Sequence, residues 1–386
     1  MAEWKECMIS EIGTVVGGAT PSTQKTENYE GGTIAWITPK DLSTFKGRYI
    51  SNGERNITEI GLKSCSTQLL PKNTVLFSSR APIGYVAIAQ NEVCTNQGFK
   101  SVIPNSDTDP LFLFYLLKYN KDKIENMGSG TTFKEVSGST MKSIKVNVPC
   151  EYEEQRRIAS ILGALDDKIE ENERINNNLE QQAQALYQQM FIENASSDWK
   201  EGSLSEIADI TMGQSPSGSS YNEDGVGTIF FQGRAEFGFR FPSVRLFTTE
   251  PKRMARTNDT LMSVRAPVGD LNVAHTDCCI GRGLAAIRSK TNHQSFVHYT
   301  MVSLRKQLDV FNGEGTVFGS INRNALNEMP IIIPSNEKLD EFEDLVSPMD
   351  EMIRNNYDEI CRLEAIRDSL LPKLMSGELD ISNITI

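Results

Sequence analysis

The five residues RAPIG at 80–84 return as RAPVG at 265–269, and the echo extends in both directions. GSGTTF at 128–133 stands opposite GEGTVF at 313–318, again 185 positions on. VNVP ending at Pro149 stands opposite IIIP ending at Pro334, at the same separation. Nearer the start, WKECMISEI at 4–12 faces WKEGSLSEI at 199–207, now 195 apart, so the first copy holds ten extra residues between its tryptophan and its RAP. Past each proline, LDDKIEENERINNNLE at 165–180 faces MDEMIRNNYDEICRLE at 349–364. Two large copies in 386 residues are a tandem duplication, whereas a solenoid stacks several repeats of about 20–50 residues. The chain divides into a globular segment 1–150, a helix 151–195, a second globular segment 196–334, and a second helix with a tail, 335–386.

Each globular segment reads as mixed α/β. NTVLFSS and YVAIAQ flank RAPIG, and DTLMSV and LNVAHT flank RAPVG. Such runs of Val, Ile and Phe around Pro and Gly predict strands joined by a turn. Helical runs follow over 110–126 and 295–311. In the first long segment Ile158, Leu162, Leu165, Ile169, Asn172, Asn176, Leu179, Ala183, Leu186 and Met190 recur in steps of four and three. In the second, Phe342, Val346, Met349, Ile353, Asn356, Ile360, Leu363, Arg367, Leu370 and Leu374 keep the same rhythm. That is a heptad seam, and two such stripes in one chain are expected to pack on each other. A polar residue on a seam costs stability and sets register, the role open to Asn172, Asn176 and Asn356. A helix of roughly 36 residues makes a rod of about 54 Å. Pro372 is expected to end or kink the second helix near Leu371, with Gly377 as a stop signal beyond it.

The net charge of −12 is unevenly placed. Residues 1–150 carry 16 Lys+Arg against 14 Asp+Glu, and residues 196–334 carry 14 against 14. The excess acid lies at 151–195, with 4 against 10, and at 335–386, with 5 against 13. The globular segments are therefore free to meet a polyanion, and the helices would repel one. Acidic helices suit a solvated face or a docked protein. The N-terminus shows no basic region followed by an apolar run, which argues against a secretory signal. The longest apolar stretch, 111–117, is far short of the ~20 residues that span a bilayer. Seven scattered cysteines without a C-x-x-C point to reduced thiols in a cytoplasmic protein. The three histidines lack metal-ligand spacing, so no metal site is expected. No nucleotide loop, dinucleotide fingerprint, zinc-protease motif or nucleophile elbow occurs. Two similar units with no catalytic set suggest a bivalent binder.

Taken together, SSRAPIGYVAIA at 78–89, TTFKEVSGSTMKSIKVNVP at 131–149, EEQRRIASILGALDDKIEENERIN at 153–176, MGQSPSGSSYNEDGVGTIFFQGRAEFG at 212–238 and LLPKLMSGELDI at 370–381 resemble the specificity (S) subunit of type I restriction–modification systems, the HsdS family. The resemblance covers essentially the whole chain. NEKLDEFEDLV departs from EEQRRIASIL where the second helix begins. It implies two tandem target recognition domains separated by two long helices packed as an antiparallel intramolecular coiled coil. Each domain would read one half of a split site in double-stranded DNA, the helices acting as a ruler for the unread spacer. If both domains meet one face of the duplex, the half-sites lie roughly 34 Å apart. It also implies two methyltransferase (M) subunits and restriction/motor (R) subunits as partners. No cofactor would be bound by this chain: S-adenosylmethionine is expected in the methyltransferase, ATP and Mg in the restriction partner.

If the halves read different sequences, shared residues are expected to brace loops or hold phosphate, and divergent polar ones to read bases. The shared candidates are Arg80 with Arg265 and Thr131 with Thr316. The divergent ones are Thr38, Lys40, Lys46 and Arg48 in the first copy and Gln214, Ser215, Gln232, Arg234 and Arg240 in the second. Arg can bond guanine, and Gln adenine, in a bidentate way. A two-headed protein-interaction scaffold without DNA binding, and an enzyme whose site both segments build, remain the alternatives.

Overall fold

The computed structural model describes residues 3–80, 82–130, 134–313 and 319–381. It divides into two compact units, Met1–Glu171 with Glu359–Ile386, and Asn172–Asp358. The two long helices, Tyr152–Tyr187 and Asn336–Met375, each contribute to both units.

In the first unit, the opening strand Trp4–Met8 pairs antiparallel with the closing strand Lys145–Pro149, so the globular segment ends where it began. A five-stranded sheet runs in the order Gly13–Gly17, Lys100–Pro104, Val75–Ser79, Ile83–Ala89, Tyr49–Ile50. Every residue of Val75–Ser79 is buried, as expected of a strand covered on both faces. A three-stranded sheet places Ile34–Ile37 between Arg55–Ile57 and the parallel strand Cys94–Thr95. The helix Pro110–Tyr119 starts where the Asp109 carboxylate accepts from Phe112 N at 2.8 Å, with proline at its first position. Its residues Phe112–Leu117 are all buried, so it is apolar all round and fills the core. Ile158 and Leu162 of the first long helix and Leu374 and Met375 of the second join that core. Within this unit the two helices run antiparallel: Arg367 meets Asp166 at 2.8 Å and Lys168 meets Glu359 at 3.5 Å.

The second unit repeats the plan. Lys200–Ser203 pairs antiparallel with Pro330–Ile333. A four-stranded sheet runs Ala208–Met212, Leu284–Ser289, Thr260–Ser263, Leu271–Val273, matching the first four strands of the larger sheet above. A five-stranded sheet contains Thr228–Phe231 beside the parallel strand Cys278–Ile280. The buried helix Gln294–Ser303 takes the place of Pro110–Tyr119. Tyr187, Phe191, Phe296 and Phe342 form an aromatic cluster with ring centroids 4.9–5.9 Å apart, locking both long helices onto this core. Here too the helices are antiparallel, Asn176 bonding Ile353 and Tyr187 stacking near Phe342.

Every seam residue named from the heptads is buried or half-buried. Three sequence expectations change. The helical run over 110–126 breaks at Asn120, whose side-chain amide turns back to the Leu116 carbonyl at 2.8 Å. The run over 295–311 breaks at Leu304 and tightens to a 3-10 turn from Asp309. Pro372 does not end the second helix, which continues to Met375. Proline deletes one donor, and here Asp368, Ser369, Pro372 and Lys373 are exposed, so water can satisfy the orphaned carbonyl. The stop comes at Gly377, whose φ of 75° is left-handed and whose N–H turns back to Leu374.

Candidate nucleic-acid interface

The strands on either side of the repeated pentapeptide pair antiparallel in both copies, and a serine holds each turn in the same way. Ser78 Oγ donates to the Pro82 carbonyl at 2.9 Å and accepts from Tyr85 N at 2.8 Å. Ser263 Oγ donates to the Pro267 carbonyl at 2.7 Å and accepts from Asp270 N at 3.0 Å. Gly84 and Gly269 sit at φ 100° and 90°, which glycine adopts without strain. Each turn is stapled to the segment that follows the second echo: Val136 N donates to Ser79 O, and Ile321 N to Val264 O. Arg80 lies at this staple, 3.7 Å from Glu135, and Arg265 is exposed on the matching bridge to Ser320. Thr131 and Thr316 lie outside the described residues.

The divergent candidates gather at the ends of matched strands. Ile37 pairs with Thr95 and Phe231 with Ile280, so the residues that follow, Thr38 and Gln232, occupy one position of the plan. Two residues on from each stand Lys40, in the short helix Pro39–Ser43, and Arg234, which opens the 3-10 turn Arg234–Glu236. Thr38 caps a short helix, its N–H and hydroxyl both donating to Asp41. Lys40 is exposed and 2.7 Å from Glu54. Arg234 is half-exposed and 2.8 Å from Asp270, which also holds Arg305 at 2.6 Å. Surface pairs of this kind contribute about 0–1 kcal/mol, so either cation can exchange its carboxylate for a phosphate or a base. Gln232 and Gln214 are exposed, and Gln214 N donates to Ile280 O at 3.0 Å. Ser215 Oγ accepts from Arg282 N. Lys46 is exposed on the loop before Tyr49–Ile50.

Arg48 and Arg240, expected above among the base readers, are instead committed inside the protein. Each is only 5% exposed. Arg48 Nε donates to Glu170 at 3.0 Å, Nη2 to Asp167 and Nη1 to the Gly163 carbonyl at 3.3 Å, all on the first long helix. Arg240 Nη1 donates to Glu180 at 2.8 Å, and Nη2 to Asp350 at 2.5 Å. Burial works against both charges, and the carboxylates more than restore them, so both guanidinium pKa values are raised. The two are equivalent in the plan. Ile88 N donates to the Arg48 carbonyl and Val273 N to the Arg240 carbonyl, from strand positions 185 apart. Each thus ties its globular segment to the helices, using acid that the charge count alone assigns to a repelling face.

Two further ties went unread in the sequence. The Tyr115 hydroxyl donates to Asp166, and the Tyr299 hydroxyl to Asp350 at 3.2 Å. Burial, then the adjacent carboxylate, pushes the Tyr115 phenol up. Burial and the Arg240 charge hold His298 well below its usual pKa. The signal for the tyrosines was present, since both stand in apolar helical runs 184 apart, each with a carboxylate at matched helix positions.

Among the described residues no group of three or more His, Cys, Asp and Glu could hold a metal ion. No described helix is long and apolar enough to cross a membrane. A family model described as the type I restriction modification DNA specificity domain matches residues 1–181 and again 196–360. The chain is 34% identical over 416 residues to the type I restriction enzyme MjaIX specificity subunit of Methanocaldococcus jannaschii, covering 99% of this chain and 95% of that protein. It is 30% identical over 370 residues to the putative type I restriction enzyme MjaX specificity subunit of the same organism, covering 86% of each. Its fold is similar to the crystal structure of the type I restriction–modification S subunit from M. genitalium, with a TM-score of 0.65 at 18% identity over 97% of this chain and 96% of that one. Matched twice by one domain model and along nearly its full length by a curated relative, the chain belongs to the type I restriction–modification specificity subunits, a non-catalytic family that confers DNA sequence specificity.

Proposed function

We propose that this chain reads a bipartite DNA site, one half per globular segment, and brings methyltransferase and restriction subunits to it. The observation that carries the reading is the match of Thr38 with Gln232, each followed two residues on by a cation, Lys40 or Arg234. One scaffold, built twice, presents different polar side chains at the same place. A scaffold that met the same partner twice would have no need for that difference. The helices, which hold the excess acid, set the length of the unread spacer and dock the methyltransferase subunits. S-adenosylmethionine then belongs to the methyltransferase, and ATP and Mg to the restriction subunit.

The test is selection from a random-sequence duplex library by the full chain assembled with its methyltransferase subunits. The expected product is two short half-sites separated by a gap of fixed length, with affinity falling steeply as salt rises. Binding that is insensitive to salt, or enrichment of no sequence, would sink the reading in favour of the protein-interaction scaffold.

A further inference from the structure

The turn that leaves Cys94–Thr95 is Asn96, Gln97, Gly98, and its counterpart after Cys278–Ile280 is Gly281, Arg282, Gly283. Three main-chain hydrogen bonds hold the two alike. In the first, Asn96 N donates to Ile37 O at 3.1 Å, Phe99 N to Asn96 O at 3.3 Å, and Ser79 N to Gly98 O at 2.7 Å. In the second, Gly281 N donates to Phe231 O at 2.8 Å, Leu284 N to Gly281 O at 3.0 Å, and Val264 N to Gly283 O at 2.9 Å. A hydroxyl approaches each turn from the same place: Thr20 Oγ1 bonds the Gln97 amide oxygen, and Ser215 Oγ accepts from Arg282 N. Close packing fixes both turns. A Cβ on Gly98 would stand 2.7 Å from the Pro39 ring, and one on Gly283 would stand 2.9 Å from the Gln232 carbonyl oxygen. Each turn therefore leans on the stretch that carries Lys40 or Arg234.

On this shared frame the tip residue differs, and it is exposed in both copies. Among the described residues the Arg282 guanidinium has no hydrogen-bond or ion-pair partner. A rigid turn that offers a planar amide in one copy and a planar guanidinium in the other has the geometry of a reader. Gln bonds adenine N6 and N7, and Arg bonds guanine O6 and N7, each through two hydrogen bonds. A side chain on a clamped main chain also loses less freedom on binding than one on a loose loop.

We infer that Gln97 and Arg282 read the matched base of the two half-sites, Gln97 selecting adenine and Arg282 selecting guanine. The assignment rests on the bipartite DNA reading proposed above.

The experiment is library selection by the full chain with its methyltransferase subunits, for the wild type, Gln97→Arg, Arg282→Gln and Arg282→Ala. Gln97→Arg should turn one adenine of the first half-site into guanine. Arg282→Gln should make the reverse change in the second. Arg282→Ala should lower discrimination at that position by about 5- to 150-fold. In every variant the untouched half-site should be read as before, which also reports that the chain is folded. Unchanged selection by all three variants would overturn the assignment while leaving bipartite reading intact. So would a uniform loss of affinity with the preferred bases unaltered, which would put both side chains on phosphates. A wild type that enriches no sequence would remove the bipartite reading itself, and this assignment with it.

Discussion

The Tyr115 hydroxyl donates to Asp166 Oδ2 at 2.6 Å, and both residues are buried in the first unit. Tyr115 comes from the core helix of the globular segment and Asp166 from the first long helix, while Arg367 of the second long helix bonds the other oxygen at 2.8 Å. One carboxylate thus joins three elements. Tyr115→Phe should cost about 1.5–3 kcal/mol, as expected for a buried hydrogen bond to a charged group. Tyr299→Phe should cost less, because its bond to Asp350 is longer, at 3.2 Å. Urea denaturation of both variants checks this, and equal losses would contradict it.

Arg48 should show an asymmetry. Its side chain is 6% exposed, whereas Asp167 and Glu170 are 72% and 35% exposed. Arg48→Met leaves two carboxylates that water can reach and an apolar stem in a buried slot. The combined Asp167→Ala and Glu170→Ala change leaves a buried guanidinium without its counter-ions, a situation that costs about 3–5 kcal/mol in buried pairs generally. The carboxylate variant should therefore be the less stable, and Arg48→Met should still select the same half-site. A changed half-site would return Arg48 to the readers.

The duplication was legible because its landmarks from RAP to the closing proline keep one spacing of 185, and the helices because a heptad is a local pattern. The arginine ties were not legible, for two reasons. Their partners come from far along the chain: Arg48 bonds residues 115 to 122 positions later. The separation between copies also slips from 195 at the tryptophans to 185 at RAP, and Arg48 and Arg240 fall in that interval, 192 apart. No single offset aligns them, so two equivalent residues look divergent and divergence looks like specificity. Gln97 and Arg282 obey the 185 spacing, but a search for identities passes over a position whose interest is that it differs.

Arg234 should act on one base. It is half-exposed, it stands two residues past Gln232 at the start of a 3-10 turn, and its carboxylate partner Asp270 retains Arg305 when it leaves. Arg234→Ala should weaken binding and relax a single position of the second half-site by about 1–3 kcal/mol. Library selection checks it, and an unaltered second half-site would place Arg234 off the bases.

The seam asparagines should be coupled. Asn356 Nδ2 donates to Asn176 Oδ1 at 2.9 Å, and Asn176 Nδ2 donates to the Ile353 carbonyl at 3.3 Å. Asn176→Leu alone removes the acceptor that Asn356 uses and should cost about 1–3 kcal/mol. Adding Asn356→Leu turns the pair apolar and should recover much of that. A double-mutant cycle measures it, with a coupling of about 0.5–3 kcal/mol expected and simple additivity the contrary result.

His298 should make the second unit acid-sensitive. Its Nε2 lies 2.7 Å from Arg240 Nη1, and its Nδ1 lies 3.3 Å from Thr260 Oγ1. A guanidinium can only donate, so Nε2 accepts and the proton sits on Nδ1, an assignment made from the partners. Burial, then the Arg240 charge, holds the folded pKa well below 6.5. Between the folded and unfolded values only the unfolded chain takes up the proton. Stability is therefore greatest above pH 6.5 and falls as pH drops below it, by up to about 1.4 kcal/mol per unit. His298→Gln removes that titration and keeps an acceptor for Arg240. The gap in unfolding free energy between wild type and variant should narrow from pH 7.5 to pH 5. The pairs His293–Asp340 and His275–Asp358, and the nearby carboxylates of Glu180, Glu343 and Asp350, are the same in both proteins and cancel in the comparison. Parallel losses in the two proteins across that range would clear His298 of the effect.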